Sequence, residues 1–152
     1  MKQLSLLYLI KNGNILLAMK KRGFGAGLYN GVGGKQDRDE TVEGTAIREC
    51  EEEIAVTPLS LLKVAVLSFI DYSGEESLVH VYLCHKWQGE PSETEEMKPK
   101  WFPTKAIPYD KMWVDDKYWL PLVLNGEKVK GKFVFDQENN LVDWRINITR
   151  LM

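Results

Sequence analysis

The chain has 152 residues, 44% of them hydrophobic and 28% charged, a globular balance with enough apolar material for one sizeable core. Its 20 Lys+Arg against 22 Asp+Glu leave a formal charge of -2, which excludes bulk electrostatic attraction to a nucleic-acid polymer as the organising interaction. The longest apolar runs, such as Leu59–Leu62 and Val64–Leu67, are far short of a membrane span, and the two cysteines, Cys50 and Cys84, give no disulfide framework, so a reduced cytoplasmic domain over 1–152 is expected.

The opening MKQLSLLYLI carries no small-residue cleavage site and runs directly into a hairpin signal. Apolar runs at 3–10 and 14–19 flank Lys11-Asn12-Gly13, and Asn-Gly is the turn that two-residue hairpins favour. A glycine-dense loop from Gly23 to Gly34 follows, suited to tight turns and to close backbone approach to a ligand. Thr41 to about Ala55 has helical spacing, with Ala46, Ile47, Cys50 and Ile54 on one face, Thr41 as cap and Pro58 as the stop. Strands are predicted at 63–71 and 78–87 around the turn Ser73-Gly74-Glu75-Glu76, then an acidic loop from Glu90 to Glu96 and a short run at Lys100–Phe102. A short helix is expected over Asp115–Leu124 despite Pro121, and a last hairpin pairs Val129–Phe135 with Leu141–Ile148 around Gln137–Asn140. Without regular strand–helix alternation, these elements predict an α/β (α+β) domain: a mixed sheet flanked by helices.

The glycines do not form a known phosphate motif. Gly23-x-Gly25 has Leu28 where a dinucleotide fingerprint needs its third glycine, and Gly34-Lys35 is followed by Gln36 rather than Ser or Thr. Cys50, Cys84, His80 and His85 lack zinc-ligand spacing. The acids of the central helix are more informative. At 100° per residue Glu49, Glu52 and Glu53 fall within an arc of roughly 100°. They repel one another, and they lie toward the helix C-terminus, where the dipole disfavours negative charge. Such conflict points either to a solvated acidic face or to a site for hard divalent cations, which take carboxylate oxygens and keep positions free for water and phosphates.

From Gly34 to Glu53 the sequence reads Gly-x5-Glu-x7-Arg-Glu-U-x-Glu-Glu, with U apolar, and in this it resembles the Nudix hydrolases. Ala55 stands where that family has glycine. The segments Met19–Gly27, Tyr29–Lys35, Glu96–Phe102 and Met112–Trp119 are similar to the MutT-type branch that acts on oxidised purine nucleoside triphosphates. The resemblance implies a Nudix fold, a mixed sheet sandwiched between helices, and a monomer acting on a small nucleotide, with neither polymer nor membrane as partner. It implies Mg²⁺, with Mn²⁺ as the alternative, held by Glu49, Glu52, Glu53, Glu96 and the carbonyl of Gly33. Water would attack at the β-phosphate, releasing monophosphate and pyrophosphate, with Glu53 as general base and Glu49 as chief ligand, two roles that are exchangeable. Glu40 and Arg48 would organise the carboxylates. Ser5, Lys20, Phe24, Asn30, Gly33, Gly34, Lys35, Trp113, Asp115 and Asp116 would bind the substrate. Tyr29 stands where the relatives have tryptophan, Val114 where they have proline, and Ile70 and Tyr72 replace aromatic positions of the pocket wall. Read from their residue types alone, Asp115-Asp116 fit a helix cap with a first-turn acid, and Trp113 a core aromatic, better than a pocket. Two further readings stay open: another modified nucleotide as substrate, and a binding module that retains the fold without catalysis.

Overall fold

The computed structural model describes residues 1–150 and 152. Strands β1 (Lys2–Lys11) and β2 (Asn14–Lys20) form the expected hairpin, whose turn residues Asn12 and Gly13 have φ of 53° and 76°. The glycine-rich stretch, predicted as loop, contains two short strands, β3 (Tyr29–Asn30) and β4 (Val32–Lys35). β4 pairs antiparallel with β1, and glycine makes this approach possible: a Cβ on Gly33 would lie 1.9 Å from the carbonyl oxygen of Ser5.

Helix α1 (Val42–Ile54) starts where predicted, with the Thr41 hydroxyl accepting from Gly44 N at 3.0 Å. Its end differs from the expectation. The stop is not Pro58, which lies in β5 (Thr57–Pro58), but Ala55, whose φ of 62° and ψ of 33° place it in the left-handed region. That conformation costs an alanine roughly 1–2 kcal/mol. Burial of Ile54 and Val56 on either side of it supplies the compensation.

The remaining strands are β6 (Leu62–Ile70), β7 (Glu76–Cys84), β8 (Trp87–Gln88), β9 (Met97–Pro103), β10 (Lys128–Phe135) and β11 (Leu141–Thr149). A single 3-10 turn at Tyr109–Lys111, absent from the sequence reading, leads to α2 (Asp116–Leu124), which continues through Pro121. The main sheet runs β11-β10-β6-β7-β1-β2-β3, with β4 on β1 and β9 on β2. β1 runs parallel to β7 and β10 parallel to β6, while the other pairings are antiparallel, so the sheet is mixed as expected.

Side chains alternate across this sheet and build a core on each face. Leu7 and Leu9 of β1 pack with Ala46, Cys50 and Ile54 of α1. Tyr8 between them faces the other way, into the cluster of Leu67, Val81, Trp119, Leu120, Val123 and Phe133 beneath α2. The two helices thus lie on opposite faces, and the strands beneath them hold the site.

Candidate active site

One cavity of about 450 Å³ opens beside β1, β4 and the start of α2. Of the residues expected to bind substrate, Ser5, Lys20, Phe24, Asn30, Gly33, Gly34, Trp113, Asp115 and Asp116 line it, and Glu53 lies at its wall. Lys35 does not. It ends β4 on the exposed side, and its carbonyl accepts from Arg48 Nη2 at 3.4 Å. Ile70 and Tyr72 also miss the cavity, which is walled instead by their neighbours Phe69 and Asp71. Tyr29 packs edge-on against Phe102, with ring centres 5.0 Å apart.

Two ends of the cavity differ in chemistry. At the base-sized end Asp115 and Asp116 are both buried, and burial raises both titrations, with repulsion from Asp115 adding to the rise of Asp116. Asp115 occupies the N-cap position of α2, but its side chain makes no cap hydrogen bond. Its Oδ2 accepts from Trp119 Nε1 at 2.9 Å, an i,i+4 contact that fixes the carboxyl. Asp116 is 2% exposed and its Oδ2 has no hydrogen-bond partner in the protein. Asn30 Oδ1 accepts from Gly31 N at 2.8 Å and from the Tyr8 hydroxyl at 3.3 Å, which leaves its Nδ2 to donate. The Trp113 and Phe24 rings lie 5.1 Å apart at the mouth.

At the other end Glu53 alone of the expected metal-binding acids reaches the cavity wall, and Glu49, Glu52 and Glu96 lie outside its lining, distributed among other partners. Arg48 donates to Glu40 at 2.8 Å, to Glu49 at 2.9 Å and to Glu52 at 3.3 Å, and Asp37 lies 3.3 Å away. This guanidinium, with the Thr45 hydroxyl and the Asp37 amide, holds the Glu40 carboxyl down at about 2. Glu49 lies against Gly34, where a Cβ would meet its carboxyl at 2.5 Å, and burial raises its titration. Glu53 is 8% exposed and accepts from Gly33 N at 2.8 Å. Burial pushes it up to about 8, with Glu49 and Glu96 adding repulsion and Lys20 opposing. Glu96 is turned toward Arg22, 2.5 Å from Nη2.

Among the described residues no three acids, histidines or cysteines converge on one point. The donor set nevertheless suits a hard divalent cation. Among the described residues Glu53 is a buried carboxyl with no protein cation within ion-pair distance, and with the Glu49 carboxyl repelling it this is the arrangement such an ion relieves. Glu53, Glu49, Glu52, Glu96 and the Gly33 carbonyl would hold it.

The family comparison decides the assignment, since a NUDIX domain matches residues 1–123. The chain belongs to the Nudix hydrolases. Two curated relatives are each 40% identical: an oxidized purine nucleoside triphosphate hydrolase from Danio rerio, covering 96% of this chain and 94% of that protein, and one of the same name from Mus musculus, covering 93% and 92%. Among solved structures, a MutT protein from Bacillus halodurans superposes with a TM-score of 0.86 at 21% identity, covering 97% of this chain and 98% of that one, which supports the Nudix fold. No helix among the described residues is long and apolar enough to cross a membrane.

Several wall residues escaped the sequence reading. Leu4, Leu6, Phe69, Asp71, Trp119 and Phe135 all face this Nudix cavity. The alternation of β1 held a signal for Leu4 and Leu6, because they share the parity of buried Tyr8.

Proposed function

We propose that this Nudix hydrolase converts oxidised purine nucleoside triphosphates, 8-oxo-dGTP foremost and 2-hydroxy-dATP as a second candidate, to monophosphate and pyrophosphate with Mg²⁺, which Mn²⁺ can replace. The observation that carries this reading is the continuity of one cavity from Glu53 and Lys20 to the buried pair Asp115 and Asp116. A phosphate chain at one end and a flat base at the other fit those walls. The zebrafish and mouse relatives, named for this activity and similar over nearly their whole length, support it. Residues 1–152 act as one catalytic unit and as a monomer on the free nucleotide. Two buried, unpaired cysteines suit the reducing cytoplasm.

Recognition follows from donor and acceptor counting. Asn30 presents a donor. Asp116, kept protonated by its burial and by Asp115, presents a second donor, and Asp115 keeps an acceptor. Oxidation at C8 of guanine turns its N7 from acceptor to donor, so a pocket with one fixed carboxylate acceptor among donors separates the two bases. Stacking on Trp113 adds about 1–3 kcal/mol for any purine. An unmatched buried polar group contributes the discrimination.

For the reaction, Lys20 meets the phosphates. Arg48 keeps Glu49 and Glu52 oriented through its planar fork. Glu53 accepts the proton of the attacking water from the cavity wall, where Gly33 N holds its carboxylate at 2.8 Å. The ion, when bound, supplies neutralisation of phosphate charge and favours ionised carboxylates around it. Glu49 is the alternative base, since it shares the arc of Glu53. The deciding test is a Mg²⁺-dependent turnover panel of oxidised, methylated and unmodified nucleoside triphosphates with product analysis. Pyrophosphate released fastest from the oxidised purines is the expected result. Equal turnover of all purines, or binding without turnover, overturns the assignment.

A further inference from the structure

Arg22 and Glu96 are brought together by strand pairing. Lys20, the last residue of β2, is opposite Met97, the first of β9, so Arg22 and Glu96 extend just past the paired ends. Arg22 uses two nitrogens on a single carboxylate oxygen, Nη2 at 2.5 Å and Nε at 3.2 Å from Glu96 Oε1, and Glu95 is 3.8 Å from the same Nη2. A second clasp joins Lys21 to Glu93. The main chain of Glu96 is already fixed: its carbonyl accepts from Lys21 N at 2.9 Å, and its N–H donates to Thr94 Oγ1 at 3.3 Å. The Thr94 hydroxyl in turn donates to the Glu53 carbonyl at 2.8 Å. The side chain of Glu96 thus extends from a backbone tied to the end of α1.

Arg22 also opens the segment that carries the base-side wall. Gly23, Gly25 and Gly27 have φ of 81°, 85° and 87°, a backbone that only glycine adopts without strain. Phe24 between them leans on Trp113 while remaining 72% exposed, and a Cβ on Gly25 would come within 3.1 Å of the Trp113 ring. The fork from Arg22 thus ties the root of the Phe24 segment to a carboxylate of the metal end.

We infer that Arg22 is a positioning residue that holds Glu96 in the metal-free protein and yields it to the divalent cation, so that metal loading and the setting of Phe24 over the base are coupled through one ion pair. A dication at the Glu96 carboxylate repels the guanidinium beside it, and the two cations compete for the same oxygen. Whatever favours the released segment then favours the metal, by the reciprocity of linked equilibria. This inference rests on the reading of Glu96 as a ligand.

The test uses full-length protein and two probes. Mn²⁺ binding to the metal-free protein is followed by electron paramagnetic resonance. Because both partners are largely exposed, Arg22→Ala should tighten Mn²⁺ by only about 1.5- to 5-fold, with Arg22→Lys between the two. Binding of 8-oxo-deoxyguanosine, which has no phosphate to touch a metal, is followed by tryptophan fluorescence with and without Mg²⁺. In the wild type Mg²⁺ changes the nucleoside affinity, and in Arg22→Ala that difference disappears. Glu96→Gln separates the two ideas. If it weakens Mn²⁺ while Arg22→Ala leaves both the Mn²⁺ affinity and the Mg²⁺ effect as in the wild type, the role of Arg22 is refuted and Glu96 stands as a ligand. If Glu96→Gln leaves Mn²⁺ binding unchanged, the ligand reading falls, and the role of Arg22 with it.

Discussion

Glu53→Gln makes the proposed base testable without turnover. In the metal-free protein the Glu53 carboxyl titrates near 8 instead of 4.5, because it is buried beside Glu49 and receives only one amide in return. The folded protein therefore keeps a proton that the unfolded chain releases between those two values. Its stabilising contribution is complete below pH 4.5 and is lost as the pH rises through about 8. A displacement of that size corresponds to about 4–5 kcal/mol, an upper figure that local relaxation reduces. Glutamine keeps the shape and can still accept from Gly33 N, but it cannot ionise. In chelator, the stability of the variant minus that of wild type should be near zero at pH 5 and rise to about 2–5 kcal/mol by pH 9. Asp115 and Asp116 are raised too and the half-buried His80 is lowered, but these groups are present in both proteins and drop out of the difference, whereas Glu49, which repels Glu53, titrates more easily in the variant and adds to it at high pH. Urea unfolding across this pH range in chelator measures it. Saturating Mg²⁺ should stabilise wild type at pH 9 and leave the variant little changed, while kcat falls by at least ~100-fold. Parallel pH–stability curves in chelator would refute the argument from burial, and near-normal turnover would remove Glu53 as the base.

The base end, the arginine hub and the cap give independent expectations. Asn30→Ala and Asp115→Ala should lower kcat/KM for 8-oxo-dGTP by about 10- to 100-fold more than for dGTP, and equal losses would deny these residues a part in recognition. Arg48→Ala strands Glu40, Glu49 and Glu52 without their shared cation. It should cost about 1–3 kcal/mol of stability in urea and lower kcat as well, and a variant with wild-type kcat would reduce Arg48 to a structural tie. Thr41→Ala removes the hydroxyl that accepts from Gly44 N, so it should cost about 1 kcal/mol, or about 2–4 °C of Tm, and leave kcat unchanged.

What the sequence could and could not disclose divides along physical lines. The hairpin at Asn12-Gly13 and the helix begun at Thr41 are local signals, and both form. Wall residues depend on parity, which in β6 is set by pairing with β7 and β10 rather than by local sequence. Phe69, Ile70 and Tyr72 are all apolar or aromatic, so the pattern is silent on which face they take, and a slip of one residue exchanges the faces. The resemblance to the relatives points to Ile70 and Tyr72, and nothing in the local pattern corrects that to Phe69 and Asp71, which line the cavity. β4 was hidden for a related reason: glycine has poor strand propensity, and Gly33 is placed by the carbonyl of Ser5 that it must pass.

The acidic stripe shows the same limit at the level of charge. Sequence revealed three acids that repel, but not that the protein itself answers most of that repulsion. Glu49 and Glu52 share Arg48, and Glu96, the acid added by the neighbouring loop, has Arg22. Among the described residues Glu53 alone of the four has no arginine or lysine within ion-pair distance, and it is the one burial has driven furthest from ionisation. Two arginines therefore do for the outer carboxylates what a bound cation would do, and the inner carboxylate is left for the cation. On the proposed ligand set, a divalent ion entering there would take oxygens from both arginines and a proton from Glu53 together, which would tie metal loading to the electrostatics of α1 and of the two segments that carry Arg22 and Glu96.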